Sequence, residues 1–347
     1  MHRRRAILAV LAGVSILAAA VIAIVAASRH NPLAGLLGPP STQAGGYKIM
    51  RTVQARGPVA FSPDGQTLAT GNGASRTGLW DVATGRRIVT LADPGKNALV
   101  QAMAFSPNGK ILATGGGNGR ISLGDVATGL QVASLTDVGG EDLTSVAFSP
   151  DGKLLATGTD NDGGGRTYLW DVATRRRIAI LADPAKDAFV RAVAFSPDGK
   201  TLAVGSLNGK TYRWNVATGH RIPTLANPGN HSNVTSLAFS PSGMTLAVGS
   251  LNGRTYLWDM ATGHLMATLT DPANARVSSV AFSPSGETLA TGSLNGMTYL
   301  WDVATGHLTV TLADPESKGV FSVAFSPSGK TLATGDGNGK TYLWRAG

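Results

Sequence analysis

The chain has 347 residues, no cysteine and a formal net charge of +9, from 30 basic and 21 acidic side chains. The absence of cysteine excludes disulfide bonds and thiol nucleophiles, so any folded part must be held together by its own apolar core. The basic excess is local, because residues 1–56 contain seven basic and no acidic side chains, which leaves 23 basic against 21 acidic in the rest. We therefore expect no nucleic-acid partner, since that would need basic groups gathered on one face.

Residues 6–27 are 22 residues without a charge, and three arginines (Arg3, Arg4, Arg5) precede them. At 1.5 Å per residue a helix of this length crosses a hydrocarbon core of about 30 Å. The positive-inside rule places residues 1–5 in the cytoplasm and the rest of the chain beyond the membrane. We therefore predict an uncleaved transmembrane signal anchor. The alternative is a protein secreted after cleavage following Ala27, because Val25, Ala26 and Ala27 suit a signal peptidase.

Residues 28–46 combine Pro, Gly, Ser and Thr without sustained periodicity. This composition predicts a flexible linker between the membrane segment and the rest of the chain. An exported protein without cysteine fits a bacterial envelope more easily than a eukaryotic ectodomain, where disulfides are common.

From residue 47 to residue 347 one unit is repeated seven times, at intervals of 43 to 47 residues. A Phe-Ser-Pro phrase recurs once per unit, at Phe61, Phe105, Phe148, Phe195, Phe239, Phe282 and Phe325. A second anchor at constant phase is Trp80, Gly124, Trp170, Trp214, Trp258, Trp301 and Trp344, with glycine as the exception. A period of this length, made of short strands, is typical of one four-stranded propeller blade per repeat.

The unit that surrounds residues 282–312 shows the four strands of a blade. We predict strands at residues 277–282, 288–292, 298–302 and 308–312, from apolar or alternating runs bounded by turn residues. Asn295-Gly296 favours a tight hairpin between the second and third strands. The last unit stops after its third strand, and Tyr47–Val53 precedes the first unit. We therefore predict that this first segment completes the seventh blade and closes the ring.

The Leu-Trp-Asp phrases at residues 79–81, 169–171, 257–259 and 300–302, after segments such as Val-Ala-Phe-Ser-Pro, resemble WD40 repeats. The resemblance covers about residues 47–347 and implies an all-β, seven-bladed β-propeller. It also implies a hydrogen-bond set in each blade that joins Trp to Ser or Thr on the second strand, a His before the first strand and an Asp. The chain departs from this set. The His is missing almost everywhere, and Val204 and Val248 replace Thr in two blades.

Two further departures lead to structural expectations. Asp-Pro, as in Asp93-Pro94 and Asp314-Pro315, occupies the connection where the family has His, and we expect it to organise the connection through Asx-type turns. Gly124 removes one Trp, so we expect the second blade to be the least well packed.

No short catalytic motif is present, and we predict no catalytic residue, no cofactor and no metal site. His220, His264 and His307 recur in the outer turns of separate blades, where they cannot converge on one zinc ion. The loop residues Asp160, Asn161 and Asp162 could supply oxygen ligands to calcium, but they lack the spacing of an EF-hand. The basic run Arg175, Arg176, Arg177 is interpreted as a solvated turn, with an anionic partner as the alternative.

Differences among the seven copies are concentrated in two connections, the one between blades and the second hairpin turn. Both emerge on one face of a four-stranded blade, and loops on a rigid scaffold commonly carry binding. The candidate partner-binding residues there are Lys96, Asn97, Glu141, Asp142, Asp160, Asn161, Asp162, Lys186, Asp187, His231, Arg276 and Lys318. We predict a non-enzymatic, membrane-anchored scaffold or sensor module for a protein or peptide. The alternatives are a propeller hydrolase or lactonase and an envelope-carbohydrate binding protein.

Overall fold

The computed structural model describes residues 46–71, 76–92, 99–117, 119–136, 141–160, 165–182, 189–229 and 232–346. These residues form 28 β-strands in seven four-stranded antiparallel sheets, within one compact unit that spans residues 42–347. None of the described residues forms a helix long and apolar enough to cross a membrane. The predicted segments 1–5 and 6–27, and the linker up to residue 45, lie outside the described residues.

Each sheet is one blade, and its strands follow one another in sequence from the axis outward, except that strand β1 belongs to the last blade. Strand β1 is Tyr47–Val53. Blade 1 contains β2 (Val59–Phe61), β3 (Thr67–Gly71), β4 (Arg76–Asp81) and β5 (Arg87–Ala92). Blade 2 contains β6 (Val100–Phe105), β7 (Ile111–Gly116), β8 (Ile121–Asp125) and β9 (Gln131–Leu135). Blade 3 contains β10 (Asp142–Phe148), β11 (Leu154–Asp160), β12 (Arg166–Asp171) and β13 (Arg176–Ala182).

The remaining blades have the same arrangement. Blade 4 contains β14 (Val190–Phe195), β15 (Thr201–Ser206), β16 (Lys210–Asn215) and β17 (Arg221–Ala226). Blade 5 contains β18 (Val234–Phe239), β19 (Thr245–Ser250), β20 (Arg254–Asp259) and β21 (Leu265–Thr270). Blade 6 contains β22 (Val277–Phe282), β23 (Thr288–Ser293), β24 (Met297–Asp302) and β25 (Leu308–Ala313). Blade 7 contains β26 (Val320–Phe325), β27 (Thr331–Asp336), β28 (Thr341–Ala346) and β1.

Ring closure follows the prediction from the sequence. Strand β1 pairs antiparallel with β28, with Tyr47 opposite Ala346 and Val53 opposite Thr341. The Thr341 hydroxyl also donates a hydrogen bond to the Ala55 carbonyl over 3.1 Å. The first segment of the propeller therefore supplies the outer strand of its last blade, and the ring is fastened by main-chain pairing between its two ends.

The apolar core lies between neighbouring blades. The leucine of each second strand is fully buried, at Leu68, Leu112, Leu155, Leu202, Leu246, Leu289 and Leu332. In a representative cluster, Leu257 and Leu269 of blade 5 pack with Val277, Leu289 and Trp301 of blade 6. Because one side of each sheet packs on the next blade, the alternating apolar residues of the repeat are buried by the ring as a whole.

The four strand connections of a blade define two faces. We call the side with the first turns (between first and second strands) and the third turns the constant face, and the side with the second turns and the connections between blades the variable face. Contacts confirm that the last two share a side. The Asn338 side-chain amide, in a second turn, donates to the carbonyl of Pro315 over 2.9 Å, and the Asp271 backbone N–H donates to the carbonyl of Gly253 over 2.8 Å.

The constant face repeats one contact around the whole ring. The glycine of each first turn lies against a proline of the preceding blade, and a methyl group added to it would be 3.3–3.5 Å from that proline ring. The pairs are Gly65–Pro327, Gly109–Pro63, Gly152–Pro107, Gly199–Pro150, Gly243–Pro197, Gly286–Pro241 and Gly329–Pro284. The first of these joins blade 1 to blade 7, so the seam has the same contact as the other six junctions.

The tryptophan anchors bind the second strand wherever it offers a hydroxyl. The indole N–H donates to the threonine Oγ1 over 2.8–3.1 Å in four blades, in the pairs Trp80–Thr70, Trp170–Thr157, Trp301–Thr291 and Trp344–Thr334. In blade 5 the corresponding residue is Val248, and the buried Trp258 Nε1 has no hydrogen-bond partner. At Gly124 the side chain of Leu91 from blade 1 occupies the space, and an added Cβ would lie 2.6 Å from it.

Candidate binding site

The first strands of the blades surround an axial channel, and its mouth on the variable face is open. A cavity of about 340 Å³ lies there, lined by the first strands of six blades. This volume is at the lower end of the range of about 300–1,000 Å³ that is usual for ligand pockets. The residues that line it decide what the cavity can bind.

One position, four residues before the Phe of each Phe-Ser-Pro phrase, recurs at this end of the blades: Gly57, Gln101, Thr144, Arg191, Thr235, Ser278 and Phe321. Three blades have a hydroxyl at this position, which donates to a backbone carbonyl of the next blade over 2.5–2.8 Å. These bonds join Thr144 to Val190, Thr235 to Val277 and Ser278 to Val320. In blades 3, 5 and 6 the position therefore fastens neighbouring blades.

In blades 2, 4 and 7 the same position carries a longer side chain, Gln101, Arg191 or Phe321. The Arg191 guanidinium forms an ion pair with Asp160 over 3.3 Å, and its side chain remains 36% exposed. Phe321 lies over Gly337, where an added Cβ would be 2.6 Å from the ring. These three side chains have no hydroxyl that could bond to the next blade. They place an amide, a cation and an aromatic ring at the channel mouth.

Two carboxylates border this group. Asp142 is exposed, and a Cβ added at Gly117 would lie 3.6 Å from its carboxylate and 3.7 Å from the Gln101 amide. Asp160 completes the ion pair with Arg191. The mouth thus combines both signs of charge, an amide and an aromatic surface above a channel whose lining includes the hydroxyl residues Ser145, Ser236 and Ser322. This combination is suited to a side chain or a short segment of a peptide, whose polar backbone and apolar groups need different contacts.

The candidate residues from the sequence fall into three groups. Asp142, Arg276 and Lys318 are exposed on the variable face, and Asp160 is partly buried beside the channel mouth. Glu141 is buried at 6% exposure. The others lie outside the described residues: Lys96, Asn97, Asn161, Asp162, Lys186, Asp187 and His231.

Glu141 contributes to the inside of blade 3. Its carboxylate accepts hydrogen bonds from the Thr159 hydroxyl over 2.5 Å and the Tyr168 hydroxyl over 3.1 Å, and it contacts the Arg166 guanidinium over 3.3 Å. A buried carboxylate with three partners holds a connection in place and offers no surface to a ligand. The exposed candidate surface on this connection therefore begins at Asp142.

Asp314 has a corresponding buried position in blade 7, and the expected Asx-type turn is wrong there. Both carboxylate oxygens lie 2.9 Å from the Thr334 hydroxyl, which in turn accepts from Trp344. Burial raises the pKa of Asp314 to about 8, and the nearby Asp336 carboxylate adds to the rise, whereas the Thr334 hydrogen bond opposes it. Asp314 therefore takes the place of the missing His. At Asp271 the Asx-type turn is confirmed, since its carboxylate accepts from the Ala273 backbone N–H over 2.8 Å.

Blade 5 has the same connection but leaves it incomplete. Asn227 occupies the place of Asp314, and its buried side-chain oxygen has no hydrogen-bond partner. The second strand offers Val248 where blade 7 has Thr334, so the Trp258 N–H is also left unpaired. A single missing hydroxyl thus accounts for two unsatisfied polar atoms.

A tyrosine on the third strand supports the second turn in several blades. The turn asparagine donates from its side-chain amide to the tyrosine hydroxyl over 2.7–2.8 Å, in the pairs Asn208–Tyr212, Asn252–Tyr256, Asn295–Tyr299 and Asn338–Tyr342. In blades 5 and 7 the tyrosine hydroxyl donates onward to the carbonyls of Pro228 and Pro315, over 2.8 and 2.7 Å. These bonds fix the shape of the variable face close to the channel mouth.

Among the described residues, no group of three or more His, Asp or Glu side chains is placed to hold a metal ion. His220, His264 and His307 are exposed in the third turns of three separate blades.

The channel-mouth residues Gln101, Arg191 and Phe321 are absent from the candidate site that the sequence predicts, because that site contains only residues of the variable connections. The signal was present: aligning the first strands on Phe-Ser-Pro shows that one position holds Thr or Ser in three copies and a long side chain in three others. It could not be interpreted without knowing that the hydroxyls fasten neighbouring blades.

Seven four-stranded blades, a first strand that closes the last blade and a Trp–Thr bond inside the blade together define a WD40-type β-propeller. A family model described as "IFT122 first beta-propeller" matches residues 57–345, and the chain belongs to this family. Propellers of this type generally mediate protein–protein interactions. A comparison with curated proteins gives no match.

Proposed function

We propose that the protein is a non-enzymatic, membrane-anchored scaffold that binds a protein or peptide partner outside the cytoplasm. The proposed site is the channel mouth on the variable face, with Gln101, Arg191 and Phe321 in direct contact with the partner. Asp142 and Asp160 border this contact, and the exposed Arg276 and Lys318 lie on the same face.

One observation carries this proposal. At a position where three blades use a hydroxyl to fasten the ring, three others have given up that bond for a long polar or aromatic side chain. Losing a hydrogen bond of this kind costs about 1 kcal/mol. Arg191 recovers part of this loss through its ion pair with Asp160, but none of the three side chains fastens neighbouring blades through this bond. Residues that depart from a local rule of the fold in this way are candidates for function.

The membrane location rests on the sequence. Residues 6–27 are uncharged and long enough to span a bilayer, and three arginines, Arg3, Arg4 and Arg5, precede them against one, Arg29, just after them. Fractionation tests this part separately. We expect the full chain to remain with membranes after a carbonate wash, and a soluble product that begins at Ser28 would contradict the anchor.

The binding site is tested with residues that the other copies already use. The variant Gln101→Thr/Arg191→Thr/Phe321→Ser converts the channel mouth to the hydroxyl pattern and restores bonds between blades, so it is expected to fold. We expect cross-linking and mass spectrometry on the intact membrane protein to show partner adducts for the wild type and none for this variant.

The matched control changes the constant face. Lys110→Ala/Lys153→Ala/Lys200→Ala removes three exposed side chains from the first turns of blades 2, 3 and 4. This control is expected to keep the adducts of the wild type. Unchanged adducts in the channel-mouth variant would contradict the proposed site.

A further inference from the structure

The outer edge of the propeller is electrically uneven. The outer strands of blades 7, 1, 2 and 3, together with the ends of the third strands and the turns that follow them, contain eight basic side chains and three carboxylates. The corresponding segments of blades 4, 5 and 6 contain one basic side chain, Arg221, and two carboxylates. We call the first set of segments the basic arc; its basic residues are Lys48, Arg51, Arg86, Arg87, Arg175, Arg176, Arg177 and Arg345.

The basic arc spans four consecutive blades of the ring. Blade 7 adjoins blade 1 through the Gly65–Pro327 contact. At the outer edge the Arg51 guanidinium donates to the carbonyl of Ala83, in the third turn of blade 1, over 3.1 Å. The basic side chains of blades 7 and 1 are therefore neighbours at the constant-face end of the outer strands, and blade 2, whose segment has no basic side chain, separates them from the arginines of blade 3.

Two of these basic residues occupy positions where they are locally unfavourable to the fold. Arg175 has φ 61°, in the left-handed region, where the corresponding turns of blades 1, 2, 4, 5 and 6 have glycine. Lys48 lies directly opposite Arg345 in the pairing of β1 with β28. A side chain in the left-handed region and a like-charged pair across two strands are both unfavourable. A negatively charged surface beside these residues would remove the repulsion between Lys48 and Arg345. It would also give a function to the left-handed backbone of Arg175.

Exposed aliphatic side chains accompany the charges. Ile88 is 56% exposed, Leu130 68% and Ile178 55%. Val132 and Ile180 of the same arc are also exposed. Blade 2 has no basic residue in its segment and contributes two of these five aliphatic residues. A surface that combines basic and aliphatic side chains is typical of proteins that lie on anionic membranes, where headgroups meet the charges and the interface receives the apolar groups.

The point where the chain enters the propeller agrees with this orientation. Tyr47 pairs with Ala346, two residues after Trp344, so β1 begins at the constant-face end of blade 7, inside the basic arc. Residues 28–46 connect it to the apolar segment 6–27. Nineteen residues reach at most about 65 Å even when fully extended. An anchored segment 6–27 would therefore hold the basic arc near the bilayer.

We propose that the basic arc docks on the anionic phospholipid headgroups of the membrane that anchors the chain, with this side of the propeller rim toward the bilayer and the outer edges of blades 4, 5 and 6 away from it. This inference rests on the proposed membrane location. It assigns to the basic arc a lipid partner that is separate from the protein partner of the channel mouth.

The test uses the full chain, whose lack of cysteine allows a single fluorescent label. Two labelled variants are compared, Val132→Cys in the basic arc and Met266→Cys in blade 5, both at exposed positions. Each is reconstituted into vesicles of phosphatidylcholine with or without phosphatidylglycerol, and quenching by brominated lipid is measured. We expect strong quenching at position 132 only with phosphatidylglycerol, reduced by high salt, and little at position 266.

A charge variant separates electrostatic docking from proximity to the anchor. The variant Arg86→Gln/Arg87→Gln/Arg175→Gln/Arg176→Gln removes four charges from the basic arc. Each lost charge is expected to weaken binding to anionic lipid about fivefold. Quenching at position 132 is then expected to fall to the value at position 266. The control Arg76→Gln/Arg120→Gln/Lys210→Gln/Arg254→Gln removes the same charge from exposed positions beside the second turns, on the variable face, and is expected to keep the quenching. Equal quenching at both labels, or quenching indifferent to phosphatidylglycerol, would overturn the proposal.

Failure of the anchor would be recognised separately. A chain that a carbonate wash removes from the vesicles is not anchored, and the proposed membrane location then fails. In that case docking is measured by flotation of the same chain with vesicles. Flotation with vesicles that contain phosphatidylglycerol, lost in the arginine variant, supports the basic arc. No flotation of the wild type overturns it.

Discussion

The constant face and the variable face are made from the same seven repeats but are stabilised in different ways. On the constant face one Pro–Gly contact recurs at all seven junctions, and each first-turn serine accepts a backbone N–H five residues on. On the variable face the described connections use different residues: Glu141 in blade 3, Asn227 in blade 5 and Asp314 in blade 7. Uniform contacts hold the ring together on the constant face, whereas the variable face differs from blade to blade.

The largest expected effect comes from breaking the seam that both faces share. Deleting residues 47–55 removes strand β1 together with the buried Val53 and Ala55, and it exposes the edge of β28. We expect a loss of at least about 5 kcal/mol of unfolding free energy, because several apolar side chains lose their burial at once. Thermal melting checks this, with deletion of residues 28–45 as the control. Equal melting temperatures for the two deletions would show that β1 does not fasten the ring.

The next effect concerns the variable face of blade 7 and its dependence on pH. The pKa of Asp314 is about 8 in the folded protein, above its ordinary value, because burial disfavours the charged form. The raised pKa means that its contribution to stability is complete below about pH 4 and is lost as the pH rises through about 8. The total change is roughly 5 kcal/mol.

The measurement for Asp314 is the difference in unfolding free energy between the wild type and Asp314→Asn from pH 4 to pH 9. Asparagine is the residue that blade 5 already has at this position, as Asn227, and it does not titrate. We expect the advantage of the wild type to decrease steadily as the pH rises. A difference that does not change with pH would mean that Asp314 is not held in the neutral form.

A smaller effect, of the opposite sign, is expected in blade 5. The variant Val248→Thr supplies the hydroxyl that blade 7 has at Thr334, which can accept from Trp258 Nε1 and donate to the Asn227 side-chain oxygen. Satisfying both buried atoms is expected to raise the unfolding free energy by about 1–2 kcal/mol. Urea denaturation checks this. The reciprocal variant Thr291→Val in blade 6 removes the hydrogen-bond acceptor of Trp301. It is expected to lower the unfolding free energy by a similar amount.

The smallest effect concerns the one third turn in which a glycine is replaced. Arg175→Gly relieves a left-handed arginine and is expected to raise the unfolding free energy by about 1 kcal/mol. The same variant is expected to weaken docking of the basic arc on anionic vesicles. Gly219→Arg in blade 4 is the matched control, since Gly219 has φ 67° and open space around it, and it should be destabilised by a similar amount. An unchanged unfolding free energy in both variants would show that the left-handed backbone of Arg175 is not strained.

The sequence predicted the repeated parts of the fold well and the interactions at particular sites poorly. The seven blades, the strand Tyr47–Val53 and its closure of blade 7 are confirmed, because each rests on a pattern that recurs at constant phase. The substitution of Asp314 for the missing His was not foreseen, since the contact between Asp314 and Thr334 spans 20 positions and depends on burial. Glu141 looked like a loop residue because nothing in its neighbours along the chain shows that Thr159 and Tyr168 surround it.

The central claim is that the channel mouth on the variable face binds the protein partner, and a photoreactive label tests it most directly. Because the chain has no cysteine, a benzophenone can be attached to Gln101→Cys at the mouth or to Asn108→Cys in a first turn of the constant face. On illumination of intact membranes, we predict a specific protein adduct from position 101 and none from position 108. Protein adducts from position 108 alone, or in equal yield from both, would contradict the account.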